Sequence, residues 1–170
     1  MASLIDLLID DLNNEDTGYN KLLDLSNDKT SAIVKGDVDE LQKIFLQEQK
    51  LIEELETVEQ KRREDVKEIC SILRLPYEQI RVEHIVQILE KKPKEHDALE
   101  EVYLRLKRTL NQLTTVNDNN KLLLKESMDM IQFELDLARN SVMDPQTSNY
   151  GRTAYEEQGI TGATGFDAKQ

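Results

Sequence analysis

The amino-acid sequence predicts an all-α protein: an antiparallel bundle of three long helices plus one short helix, with a flexible C-terminal tail. Charged residues make up 33% of the chain and aromatic residues 5%, a composition typical of long helices and coiled coils. Apolar residues recur every three or four positions through most of the first 140 residues. Four of the six glycines lie beyond residue 140. We therefore predict two regions, a helical bundle over residues 1–140 and a flexible Gly/Thr-rich tail over residues 141–170.

The first helix is predicted to begin after Ser3, which acts as its N-cap, and to end near Lys35. Gly18 interrupts this helix at a cost of about 1 kcal/mol relative to Ala, which the packing of a long helix can absorb. The apolar positions follow a spacing of three to four residues, and they are Ile5, Leu8, Leu12, Tyr19, Leu22 and Ile33. This spacing predicts one buried face.

A sharp hinge is predicted at Gly36 and Asp37. Gly suits the left-handed position after a helix, and Asp37 with Glu40 three residues later forms an Asp version of the capping box. The second helix runs from Asp37 to about Leu73. Two long amphipathic helices joined by so short a connection must fold back on each other as an antiparallel hairpin.

Two prolines mark the limits of the remaining helices. Pro76 ends the second helix, because the residue before proline avoids helical angles. A short amphipathic helix is predicted, with Val82, Ile85, Val86 and Leu89 on its apolar face and its end near Lys92-Pro93, and the last helix runs from about Pro93 to Asn140. Asn117 and Asn120 fall on the apolar seam of that helix, where a buried Asn fixes register or a bend more often than it binds a ligand.

The last helix becomes more apolar along its length. Residues 99–115 contain seven large apolar side chains on one stripe, whereas residues 122–138 contain ten apolar residues spread around most of the helix. A helix has this pattern when more than one of its faces is covered. The sequence leaves two explanations open: burial in the middle of the bundle, or a surface for a partner.

The composition argues against several classes of function. A net charge of −12 is unsuited to binding nucleic acid, and no apolar run is long enough to insert into a membrane. The first residues lack the basic segment of a signal peptide, so we expect a cytoplasmic protein. The one cysteine, Cys70, is expected to be a buried apolar residue, and His84 and His96 lack the neighbours of a metal site. We predict no enzymatic activity, no cofactor and no metal.

The chain resembles the FlgN family of flagellar export chaperones. The resemblance covers essentially the whole chain, and its strongest part is the hinge block. It rests on Leu7-Leu8, Tyr19, Leu22-Leu23, Leu25, Lys29, Ala32-Ile33-Val34, Gly36-Asp37-Val38, Leu41, Ile44, Glu48-Gln49, Leu51, Leu55, Asn117, Asn120, Leu123-Leu124 and Tyr150-Gly151.

The resemblance implies a cytoplasmic chaperone that holds hook–filament junction proteins and delivers them to a component of the export gate at the membrane. We expect the client to pack on the last helix at Leu123, Met128, Ile131, Leu135 and the nearby Val142. A tail tyrosine, either Tyr150 or Tyr155, is expected to contact the export gate. An alternative hypothesis is a structural coiled-coil protein that self-assembles without a client, for example as a homodimer.

Overall fold

The structure, a computed structural model, describes residues 3–143. Within these residues it contains helices and no strand, which confirms the all-α prediction. The helices are α1 (Leu4–Lys35), α2 (Val38–Leu73), α3 (Val82–Ile88) and α4 (Pro93–Met143), with short 3₁₀ segments at Tyr77–Gln79 and Leu89–Lys91. The chain divides into two compact units, Met1–Ser127 and Met128–Gln170. Most of the predicted tail, including Tyr150 and Tyr155, lies outside the described residues.

The N-terminus of α1 has the predicted cap. The Ser3 hydroxyl accepts a hydrogen bond from the Asp6 N–H at 3.1 Å, and the Asp6 carboxylate accepts one from the Ser3 N–H at 2.8 Å. This reciprocal pair satisfies two backbone donors that the first turn of a helix leaves unpaired. Both bonds lower the pKa of the Asp6 carboxyl.

The hinge between α1 and α2 is confirmed at Gly36 and Asp37, with one correction. Gly36 is left-handed, with φ 68°. Its N–H donates to the Ile33 carbonyl at 3.1 Å, and the Asp37 N–H donates to the Ala32 carbonyl at 3.0 Å, which is a Schellman ending. The Asp37 carboxylate then caps α2 by accepting from the Glu40 N–H at 3.0 Å. The predicted capping box is therefore only half formed, because the Asp37 N–H is already bonded to α1.

Ion pairs show how the long helices of the first unit run. Asp11 contacts Lys61 at 2.6 Å, whereas Lys29, farther along α1, contacts Glu48, which is earlier in α2. The two helices are thus antiparallel. In the hydrogen bonds between α1 and α4, later residues of α1 meet later residues of α4. Asp16 accepts from Thr109 at 2.7 Å, and Thr30 donates to Asn120 at 2.6 Å. Helices α1 and α4 therefore run parallel in this unit.

The main core of the first unit lies where α1, α2, α3 and the start of α4 meet. Its fully buried members include Leu8, Ile85, Leu99 and Cys70, the last as the sequence predicted. A second, smaller core of Leu22, Leu55 and Leu113 lies nearer the hinge. Burial also raises the pKa of the Cys70 thiol.

Gly18 lies at a close approach between α1 and α2. A Cβ built on this residue would lie 2.5 Å from Cδ2 of Leu55 and 3.0 Å from its Cγ. Leu55 is itself buried, so it has little room to move. Gly18 therefore makes space for a core side chain, a role that the sequence did not indicate.

Candidate functional site

The candidate site is the apolar surface on the last part of α4, within the second unit. Met128, Ile131, Leu135 and Val142 are all exposed, with exposed fractions between 47% and 81%. Their spacing is three, four and seven residues, which places them on one face of a helix with 3.6 residues per turn. We call this face the first stripe.

A second apolar stripe lies on nearly the opposite side of the same segment. Met130, Phe133 and Leu137 are also spaced by three and four residues, and each is more than half exposed. The predicted client-binding residues include none of this stripe, although the count of ten apolar residues in this window contained the signal. Two stripes on one short segment indicate a helix that can be contacted from two sides.

Polar residues separate the two stripes. Asp129, Gln132, Asp136 and Arg139 share the narrow face between them, and the Gln132 amide donates to the Asp136 carboxylate at 3.0 Å. Residues 128–142 contain three acidic residues and one basic residue, namely Asp129, Glu134, Asp136 and Arg139. A partner would therefore meet two apolar surfaces bordered mainly by negative charge.

Leu123 differs from the other residues predicted for the site. It belongs to the first unit and is only partly exposed, whereas the rest are exposed in the second unit. The preceding turns of α4 are held against α1 by polar contacts. The Asn120 amide is buried and donates to the Ser26 carbonyl at 2.7 Å, and the Ser26 hydroxyl donates to Asn117 at 3.0 Å. Helix α4 is continuous through these asparagines.

A cluster of acidic residues is buried along α1, and it is part of the packing. Glu15 bonds Arg62 at 2.6 Å, yet the pKa of the Glu15 carboxyl is raised because desolvation outweighs this bond. Burial, followed by a hydrogen bond with Asp11, raises the pKa of Asp65. Asp11 and Asp65 each keep one buried carboxylate oxygen, Oδ2, without a hydrogen-bond donor.

These acids do not form a metal site. In the part of the chain that the structure describes, no group of three or more His, Cys, Asp or Glu side chains is arranged to hold a metal ion. His84 accepts the Arg81 N–H at 3.0 Å as a local cap of α3, and His96 contacts Asp97 at 3.0 Å. That contact raises the pKa of the His96 imidazole.

No described helix combines the length and apolar character needed to cross a membrane. Searches of curated proteins and of solved structures each found no significant match. The model of one family, described as FlgN protein, matches residues 1–158. That match includes the hinge, the buried asparagine of α4 and both apolar stripes. The chain therefore belongs to the FlgN family of flagellar export chaperones.

Proposed function

We propose that this chain binds hook–filament junction proteins in the cytoplasm, prevents their premature association and delivers them to the flagellar export gate. The observation that supports client binding is the exposed first stripe, formed by Met128, Ile131, Leu135 and Val142. A large exposed apolar patch on a soluble protein marks an interaction site. Family membership indicates that the partner is a flagellar client.

The proposed mechanism is reversible burial of the stripe by an amphipathic helix of the client. Burying one large apolar side chain contributes about 1.5–3 kcal/mol, so four contribute roughly 6–12 kcal/mol at most. Association entropy and side-chain ordering remove several kcal/mol of this. The net binding free energy is therefore smaller than this upper bound, as reversible binding requires. Met128 on this stripe suits clients of different shape, because Met adapts to varied surfaces.

One pair of variants tests the role of the first stripe. Ile131→Glu should weaken binding to a purified hook–filament junction protein at least about tenfold in calorimetry, because burial of an apolar side chain is lost and a charge must be desolvated. Leu104→Glu is the matched control, since Leu104 is also exposed and lies on α4 in the first unit. Equal loss in both variants, or loss in neither, would refute the assignment.

The tail is proposed to add to client binding, and either Tyr150 or Tyr155 to contact the export gate. This rests on the family resemblance. Removal of residues 144–170, which leaves Val142 of the first stripe in place, should weaken client binding in the same calorimetry, and undiminished affinity would exclude that role. Separate Tyr150→Ala and Tyr155→Ala variants, tested for binding to the purified export-gate component, should identify the contact. If neither loses affinity, the tyrosine assignment is wrong.

The alternative function, self-assembly without a client, predicts that a second copy buries the same stripe. Sedimentation at several concentrations separates the two hypotheses. A concentration-dependent dimer that Ile131→Glu abolishes would favour self-assembly. A persistent monomer that still binds the junction protein would exclude it.

A further inference from the structure

An apolar groove lies in the first unit at the end opposite the hinge, where the start of α1, the end of α2 and α3 meet. Its volume is about 300 Å³. Ile69, Ile72 and Leu73 form one wall, and the other walls are formed by Leu4, Ile5, Ile85, Ile88 and Leu89, with Lys91 and Lys92 at the rim.

The groove is apolar yet open to solvent. Ile72 is 65% exposed, Ile88 45% and Leu73 43%, so three large aliphatic side chains face water at one place. The apolar residues of the groove recur at i, i+3 and i+4 twice, as Ile69, Ile72 and Leu73 and again as Ile85, Ile88 and Leu89. Each of these walls is therefore about one helical turn long. A groove of this width accepts two or three anchor side chains of a short helix, and it is at the lower limit of size for a small-molecule site.

The charged side chains that line the groove differ in sign from the net charge of the protein. The whole chain has a net charge of −12, but both charged residues that line the groove, Lys91 and Lys92, are basic. Lys92 contacts Glu95 at 3.1 Å, whereas Lys91 has no salt bridge among residues 3–143. An occupant with acidic side chains beside its apolar anchors would therefore find a basic partner here, above all at Lys91.

We propose that this groove is a second protein-docking site, which takes a short amphipathic helix with acidic residues flanking its apolar face. It is separate from the stripes on α4, because none of its lining residues lies beyond Lys92. The protein could therefore hold this second partner without using the surface proposed for the client. The inference does not depend on the proposed client function.

The test uses two synthetic stapled helices of identical length, each with leucines at i, i+4 and i+7. One has glutamates beside the leucines, and the other has lysines at the same positions. Full-length protein labelled at the isoleucine methyl groups is titrated with each helix, because Ile72 and Ile88 report on the groove directly. We expect the glutamate helix to shift these two methyl signals at submillimolar concentration and the lysine helix to shift them at least about fivefold more weakly.

Variants make the test specific to this groove. Ile72→Glu should abolish the Ile88 shift, and Val38→Glu, at a similarly exposed site near the other end of α2, should leave it unchanged. Lys91→Glu combined with Lys92→Glu should reverse the preference in favour of the lysine helix. The proposal is overturned if neither helix shifts the groove methyls up to millimolar concentration, or if both shift them equally. It is also overturned if the same signals shift with protein concentration alone, which would identify a second copy as the occupant.

Discussion

Gly18→Ala should destabilise the protein, although it replaces a glycine in the middle of a helix by the best helix former. Gly18 has ordinary helical angles, since Gly36 is the only described glycine with positive φ. By propensity alone the substitution would stabilise the fold by about 1 kcal/mol. The new methyl group, however, would lie 2.5 Å from Leu55 Cδ2, well inside van der Waals contact.

The size of the destabilisation depends on how far the Leu55 side chain can move away from the new methyl group. It is 4% exposed and packs with Leu22 and Leu113, so a rotamer change would disturb the smaller core. Forcing an extra methyl group into a packed core costs about 1–3 kcal/mol. After subtracting the gain in propensity, we expect a net loss of about 1 kcal/mol in the free energy of unfolding.

The sign should reverse when Leu55 is truncated. Leu55→Ala alone should cost about 2–5 kcal/mol through lost burial and the cavity that remains. In that background the clashing atoms are absent, so Gly18→Ala should stabilise by about 1 kcal/mol through helix propensity. The double-mutant cycle therefore predicts a coupling of about 2 kcal/mol.

Urea unfolding followed by circular dichroism measures all four proteins, with two-state behaviour checked by a second probe. If Gly18→Ala changes stability equally with and without Leu55, the close approach has no energetic consequence and the argument fails. Stabilisation of the wild-type background by the substitution would refute it as well.

Three further predictions concern local stability. Arg74→Gly should stabilise by about 1 kcal/mol in urea unfolding, because Arg74 ends α2 with φ 56° and only Gly has this conformation without cost. Folding raises the pKa of the Asp65 carboxyl, so protonation of Asp65 stabilises the folded state. This stabilisation is complete below the pKa that Asp65 has in the unfolded chain, and it is lost as the pH rises through the pKa of the folded state. Asp65→Asn should thus be more stable than wild type at pH 7 and lose this advantage toward pH 4, and a constant difference would contradict the pairing with Asp11. Asn120→Ala should cost about 1–3 kcal/mol by breaking buried hydrogen bonds, while Asn119→Ala, at an exposed position, should stay within about 0.5 kcal/mol.

The helix limits were predictable because local signals determine them. Ser3, Gly36 and the prolines act through the backbone of their own and adjacent residues, and α1 and α2 begin and end within about a residue of the predicted positions. Helix α3 ends at Ile88, before the predicted end near Lys92-Pro93, and the 3₁₀ segment Leu89–Lys91 follows it. The end of α4 has no such signal, and the helix continues to Met143, past the predicted Asn140. Fold class followed in the same way, from spacing alone.

The partners of buried polar side chains were not predictable, because helical periodicity gives the face of a residue and not its neighbour. The sequence places Glu48, Arg62 and Asp65 on the seam of α2, but only the structure pairs Arg62 with Glu15 and Glu48 with Lys29. The close approach between Gly18 and Leu55 was unpredictable for the same reason. It depends on the register of two helices whose contacting residues are 37 positions apart in the sequence.

The apolar excess in α4 illustrates what burial adds to a count of residues. From the sequence, an all-round apolar segment fits the interior of a bundle as well as a partner surface. In the structure, every described side chain from Leu124 to Val142 is exposed. Burial thus adds to the residue count the finding that these apolar side chains are exposed among the described residues, and the proposal of a partner surface rests on that exposure.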